Sequence, residues 1–111
     1  MAKLNYVELP IADLVGAKRF YSTAFGWHFT DYGSEYAAYE EGDAQLGLNG
    51  TDERVHAALP LIEVENIEAA LAAVIKAGAT ITQEIRKFPG GQRFRFRDPE
   101  GNELGCYQND T

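Results

Sequence analysis

The segment LNYVELPIADLVGAKRFYSTAFG, residues 4–26, decides the fold, because it carries a strand, a helix cap, a helix and a terminator in succession. Residues 4–12 alternate: Val7, Leu9 and Ile11 fall on one face, Tyr6, Glu8 and Pro10 on the other, as the period of a strand requires. Pro10 cannot donate to a ladder and belongs near the strand end or where the sheet is open. Asp13 can cap a helix by accepting from an orphan amide of its first turn. Leu14, Ala17, Phe20, Tyr21, Ala24 and Phe25 recur at helical spacing and are expected to form its buried stripe. Gly26 is placed to take the left-handed conformation that ends it.

Working outward, strands are expected at 27–32, 35–41 and 44–48, with turns at Gly33-Ser34 and Glu41-Gly42-Asp43. The second half repeats the order. A strand at 57–65 leads to Asn66 as a cap, with Glu68 in the first turn, favourable to the helix dipole. Ile67, Ala70, Leu71, Val74 and Ile75 make the apolar stripe, and Gly78 ends it. Strands follow at 80–87, 92–97 and 103–108. Between the last two, Asp98-Pro99-Glu100-Gly101 has Pro second and Gly fourth, as a type I turn prefers. Asp13 matches Asn66 and Gly26 matches Gly78. A ferredoxin-like domain, the main competitor, would use only four strands. The reading is therefore α+β: tandem βαβββ modules, about 3–50 and 56–109, in one domain spanning 1–111.

Bulk properties bound the function. A chain of 111 residues with 45% hydrophobic and 24% charged residues suits one compact domain with a modest core. A formal charge of −7 argues against a nucleic-acid partner, since phosphates are neutralised by Lys and Arg. One cysteine, Cys106, excludes an internal disulfide and fits a reducing compartment. No apolar run approaches the roughly 20 residues that span a bilayer. The expectation is a cytoplasmic protein with no membrane partner.

Three stretches carry a resemblance: Tyr6-Val7-Glu8-Leu9-Pro10-Ile11-Ala12-Asp13; Lys18-Arg19-Phe20-Tyr21 with Phe25-Gly26-Trp27; and Phe96-Arg97-Asp98-Pro99-Glu100-Gly101-Asn102-Glu103-Leu104. The last two, about 70 residues apart and inside a repeat, are specific together. Across nearly its whole length the chain resembles the vicinal-oxygen-chelate superfamily, which groups glyoxalases, bleomycin resistance proteins and extradiol dioxygenases. The resemblance implies paired βαβββ modules whose mixed sheet curves into a cup for a small molecule. It also implies a homodimer, which sedimentation would test.

Metal-dependent members take ligands from the first and last strand of each module, and a catalytic divalent metal needs about three protein ligands. The resemblance puts the first-strand ligand seven residues before the capping Asp, and Tyr6 stands there. The equivalent place before Asn66 is Leu59. In the last strand, three after Gly-Asn, it is Gly105. Residues 44–49 contain neither His nor acid. A hydrocarbon or a glycine cannot coordinate, and a phenol replaces imidazole poorly, so no metal and no cofactor are expected. His28 and His56 read as surface or cap residues.

The strand face opposite the helices should carry Tyr6, Glu8, Leu59, Leu61 and Glu63. Inward carboxylates among aromatics are costly unless paired and suit a general base or a cation site. The structural alternative pairs them with Arg93, Arg95 or Arg97, which alternate with Phe94 and Phe96 on one strand face. Trp27, Tyr32, Tyr36, Tyr39 and Tyr107 sit on strands, and those that reach the cup could stack on a planar ligand. Residues 88–92 lack the Lys-Ser/Thr ending of a phosphate loop. Cys106 reads as a small buried side chain. The expected ligand-binding set is Tyr6, Glu8, Trp27, Tyr39, Leu61, Glu63, Arg95 and Tyr107, with Glu8 and Tyr6 as candidate catalytic residues. The leading expectation is a metal-free binder of a small planar or cationic molecule. The alternatives are a glyoxalase I-like lyase or extradiol dioxygenase with a shifted metal site, a metal-independent isomerase using Glu8, and a module with a vestigial cup.

Overall fold

The computed structural model describes residues 2–110. Its elements are β1 (Lys3–Pro10), α1 (Leu14–Phe25), β2 (Thr30–Asp31), β3 (Tyr36–Tyr39), β4 (Gln45–Asn49), β5 (Leu59–Glu63), α2 (Ile67–Lys76), β6 (Thr80–Phe88), β7 (Gly91–Arg97) and β8 (Glu103–Asn109). The order strand, helix, strand, strand, strand thus occurs twice, the α+β architecture expected. The chain divides into two compact units, one of Tyr6–Leu59 and one of Met1–Asn5 with Pro60–Thr111.

In the unit Tyr6–Leu59, the strand order is β2-β3-β4-β1, with β1 parallel to β4 and the other pairings antiparallel. The Asp13 side chain accepts from the Gly16 amide at 3.0 Å, and Gly26, at φ 71°, donates its amide to the Ser22 carbonyl at 2.9 Å. A Cβ at Gly16 would press on the capping carboxylate, which would have to shift. Lys18 reaches Asp31 at 2.7 Å.

The helix is less covered than its periodicity predicts. Leu14, Ala17 and Tyr21 are half-buried, but Phe20 and Phe25 are each 61% exposed and no side chain of α1 is fully buried. Tyr21 stacks on Trp27 at 6.0 Å and Phe25 lies 5.2 Å from Trp27, but these contacts leave most of the Phe25 ring open. Trp27 lies outside any strand, and β2 is cut to two residues of the six expected.

In the other unit the order is β5-β8-β7-β6, with β5 parallel to β8 and the rest antiparallel. Asn66 accepts from the Ala69 amide at 3.0 Å, and the Gln108 side chain reaches across from β8 to take the Ile67 amide at 2.7 Å. Two of the orphan donors at the start of α2 are thereby satisfied. Ile67, Phe94, Phe96 and Cys106 form the buried core, flanked by Ile62, Leu71, Val74, Ile81 and Leu104. Each large side chain fully buried there contributes about 1.5–3 kcal/mol. Cys106 is 3% exposed and burial pushes its thiol up to about 11, consistent with a small apolar filler. The Asp98–Gly101 turn closes with the Gly101 amide donating to the Asp98 carbonyl at 2.9 Å, and the Asp98 carboxylate takes the amides of Glu100 and Asn102, both at 2.9 Å.

Candidate functional site

Strand register builds the site in the unit Tyr6–Leu59. Glu8 lies opposite Gly47, Tyr6 opposite Gln45, Tyr36 opposite Asn49, and Ala38 opposite Gly47. Residues directly opposite share a face, so Tyr6, Glu8, Tyr36, Gly47 and Asn49 point the same way. Glu8 is 2% exposed. Its Oε2 accepts from the Tyr36 hydroxyl at 3.0 Å and its Oε1 from Asn49 Nδ2 at 3.1 Å. The Asn49 amide cannot turn over, because its Oδ1 accepts from the Thr51 amide at 2.9 Å and from Thr51 Oγ1 at 2.7 Å. The hydroxyls of Tyr6 and Tyr36 are 2.7 Å apart. A phenol has one proton, and Tyr36 gives its own to Glu8. Tyr6 therefore donates to Tyr36, and a directed relay runs Tyr6, Tyr36, Glu8.

Gly47 makes the relay possible, since a Cβ there would collide with both phenol oxygens. Burial, then the charge of Glu8, holds the Tyr36 hydroxyl far above the ordinary phenol range, so it remains a neutral donor.

The second unit carries a related arrangement. Glu63, half-buried, accepts from Asn5 Nδ2 at 2.9 Å and from Asn109 Nδ2 at 3.2 Å. The Tyr107 hydroxyl donates to Asn5 Oδ1 at 2.6 Å, which fixes that amide with its nitrogen toward Glu63. Leu61, 3% exposed, shares a row with Gly105 and Arg95, and Glu63 shares the next with Tyr107 and Arg93.

Tyr107 is pushed up to about 12, by burial first and then by Glu63. An unfolded phenol titrates near 10. Between those values the folded chain binds the proton more tightly than the unfolded one, so this contribution to stability is intact below about pH 10 and is lost as pH rises towards about 12. Tyrosine absorbance near pH 11 should show a smaller un-ionised fraction in Tyr107→Phe than in the wild type, and that difference should vanish on adding urea. Equal un-ionised fractions in the two folded proteins would contradict the placement.

The expected site residues therefore divide. Tyr6 and Glu8 come together, as do Leu61, Glu63, Arg95 and Tyr107 in the other unit. Tyr39 pairs with Leu46, on the face opposite Glu8, and stacks on Trp27 at 4.2 Å between ring centroids. Both rings belong to the aromatic cluster beside α1. Tyr36, Asn49 and Gly47 complete the Glu8 arrangement, and Asn5 completes that of Glu63. Of these the sequence singles out only Tyr36, as one of the strand aromatics; Asn5, Gly47 and Asn49 carry no such mark, because parity along a single strand does not reveal which strand will lie beside it.

The positions that would carry metal ligands do not fit a divalent ion. Leu59 is fully buried hydrocarbon, and Gly105 is packed so that a Cβ would strike the Leu61 side chain. Gly47, opposite Glu8, is filled over by two phenols. Among the described residues no three His, Cys, Asp or Glu side chains converge, and His28 and His56 are exposed. No helix among them is long and apolar enough to cross a membrane.

Comparison with known proteins supplies the rest. A family model described as Glyoxalase/Bleomycin resistance protein/Dioxygenase superfamily matches residues 3–105. No curated protein sequence matches. A structure titled NAD-dependent benzaldehyde dehydrogenase from Legionella pneumophila superposes with TM-score 0.80 at 16% identity, covering 96% of this chain and 99% of that one. Methylmalonyl-CoA epimerase from Mycobacterium tuberculosis superposes with TM-score 0.76 at 16% identity, covering 97% and 88%. The Mn(II)-bound glyoxalase from Novosphingobium aromaticivorans gives 0.69 at 20% identity, covering 97% of this chain and 40% of that one. At these identities the likeness is one of fold.

Proposed function

This chain belongs to the glyoxalase/bleomycin resistance protein/dioxygenase superfamily, and from that membership we propose that it binds a small planar or cationic molecule on the face of Tyr6 and Glu8, without a metal. The observation that carries the reading is the Glu8 carboxylate, almost fully buried and held by Tyr36 and Asn49. A buried carboxylate fixed by hydrogen bonds presents its oxygens in a set direction, and in a low-dielectric setting it favours a cation or a strong hydrogen-bond donor. Tyr6, at the outer end of the relay, supplies a half-buried aromatic face and a hydroxyl.

The test uses proflavine, a planar organic cation, followed by fluorescence. Binding to the wild type is expected, with affinity about tenfold weaker in Glu8→Gln, equivalent to roughly 1.4 kcal/mol. Equal affinity in the two proteins would remove Glu8 from the site. Elemental analysis of protein purified without chelator addresses the other half of the reading: stoichiometric Zn, Ni, Fe or Mn would overturn it.

The directed relay favours a second reading, a metal-independent isomerase or epimerase in which Glu8 accepts a proton and Tyr6 contacts the substrate. Its signature is a pH–rate profile that collapses in Glu8→Gln while proflavine still competes with substrate. Turnover that survives in that variant would discard it.

A further inference from the structure

Five of the ten cationic side chains, Arg86, Lys87, Arg93, Arg95 and Arg97, lie on the β6–β7 hairpin of a chain whose formal charge is −7. Their arrangement is not that of a solvated charge run. Gln83 lies opposite Arg95 and Arg86 opposite Arg93, with register shifts between Ile81 and Gln83 and between Gln83 and Arg86. Three steps along β6 therefore match two along β7, which is a bulge. Strict alternation would send Gln83 and Arg86 to opposite faces. The bulge brings both to the face of Arg93 and Arg95.

On that face the Gln83 amide has one orientation that satisfies its neighbours. Its oxygen accepts from Arg86 Nη1 at 3.2 Å and from Arg95 Nη2 at 3.0 Å. Gln83 thus braces two guanidiniums. Arg86 and Arg93 stand directly across from each other, a like-charge pair that repels across the strands. Both have further contacts, so neither is the decisive group. Arg95 is: its Nε is buried and has no hydrogen-bond partner among the described residues. A buried guanidinium N–H without an acceptor is costly, and folded proteins rarely leave one so.

The carboxylates on neighbouring strands are engaged elsewhere. Glu63, in the row of Tyr107 and Arg93, is held by Asn5 and Asn109. Glu103, opposite Arg97, takes the Thr82 hydroxyl at 2.6 Å. We propose that this face of the β6–β7 hairpin binds an oxyanion-bearing small molecule, a carboxylate or a phosphate, with the unpartnered Nε–H of Arg95 among its donors. A planar or tetrahedral oxyanion offers the acceptor that Arg95 lacks and screens Arg86 from Arg93. This goes beyond the Glu8 reading and does not depend on it.

Arginine Nε–H resonances in ¹⁵N–¹H spectra report the site directly. Inorganic phosphate is added in one arm and acetate in another, with ionic strength held constant by sodium chloride. A saturable shift of the Arg95 Nε–H is expected in at least one arm, and the responding arm identifies the class. By calorimetry, Arg95→Lys should weaken that binding by about tenfold or more, because an ammonium cannot present the Nε edge. If Arg95→Lys does not fold, the wild-type titration decides alone, with Arg95 assigned through its backbone connectivity. No saturable shift in either arm, or undiminished binding by a folded Arg95→Lys, would overturn the proposal.

Discussion

Truncating Phe94 to alanine is expected to lower the free energy of unfolding by about 3–5 kcal/mol. Phe94 is wholly buried, packs with Ile67, Phe96 and Cys106, and lies 6.1 Å from the Phe96 ring. Its backbone neighbours Arg93 and Arg95 point to the opposite face, so the strand cannot shift to fill the void without disturbing the guanidinium face. Domains of this kind have about 5–15 kcal/mol in total, so the loss is a large fraction of it. Urea denaturation should show a lowered midpoint with an unchanged slope. The same truncation at Phe20, 61% exposed, removes far less buried area and serves as the contrast. A Phe94→Ala midpoint near that of wild type would mean that the Phe94 ring is not the centre of this core.

Gly47→Ala is expected to damage stability and the Glu8 site together. The new methyl would fall on the hydroxyls of Tyr36 and Tyr6, which meet over this glycine. Tyr36 is tied to Glu8, so the rings cannot withdraw without breaking the relay. Overpacking of this sort costs about 1–3 kcal/mol. The proflavine affinity should fall further than in Glu8→Gln, because Tyr6, Tyr36 and Glu8 are all displaced. Chemical denaturation and the fluorescence titration read the two effects separately. An alanine variant as stable as wild type, with unaltered binding, would mean that the phenols do not close over Gly47.

Much of the fold is legible in the residues themselves. Asp13 and Asn66 cap their helices, Gly26 and Gly78 take positive φ after them, and the turn at Asp98–Gly101 closes as its composition demands. Such features depend on groups three or four residues apart, so local chemistry suffices to specify them.

Tertiary structure alone decided who surrounds Glu8. Alternation along β1 puts Tyr6 and Glu8 on one face, but it cannot say that β4 will lie beside them in the register that sets Gly47 against Glu8, nor that β3 will bring Tyr36. A slip of one residue would send every side chain of a strand to the other face, and only long-range packing selects between the two registers. For the same reason Tyr39 and Trp27 stack beside α1 rather than beside Tyr6, and the bulge that collects Arg86 with Arg95 has no local marker. The chain's own residues determined its elements and their caps; pairing between distant strands determined the neighbours, because a strand's two faces acquire distinct partners only when another strand is laid against it.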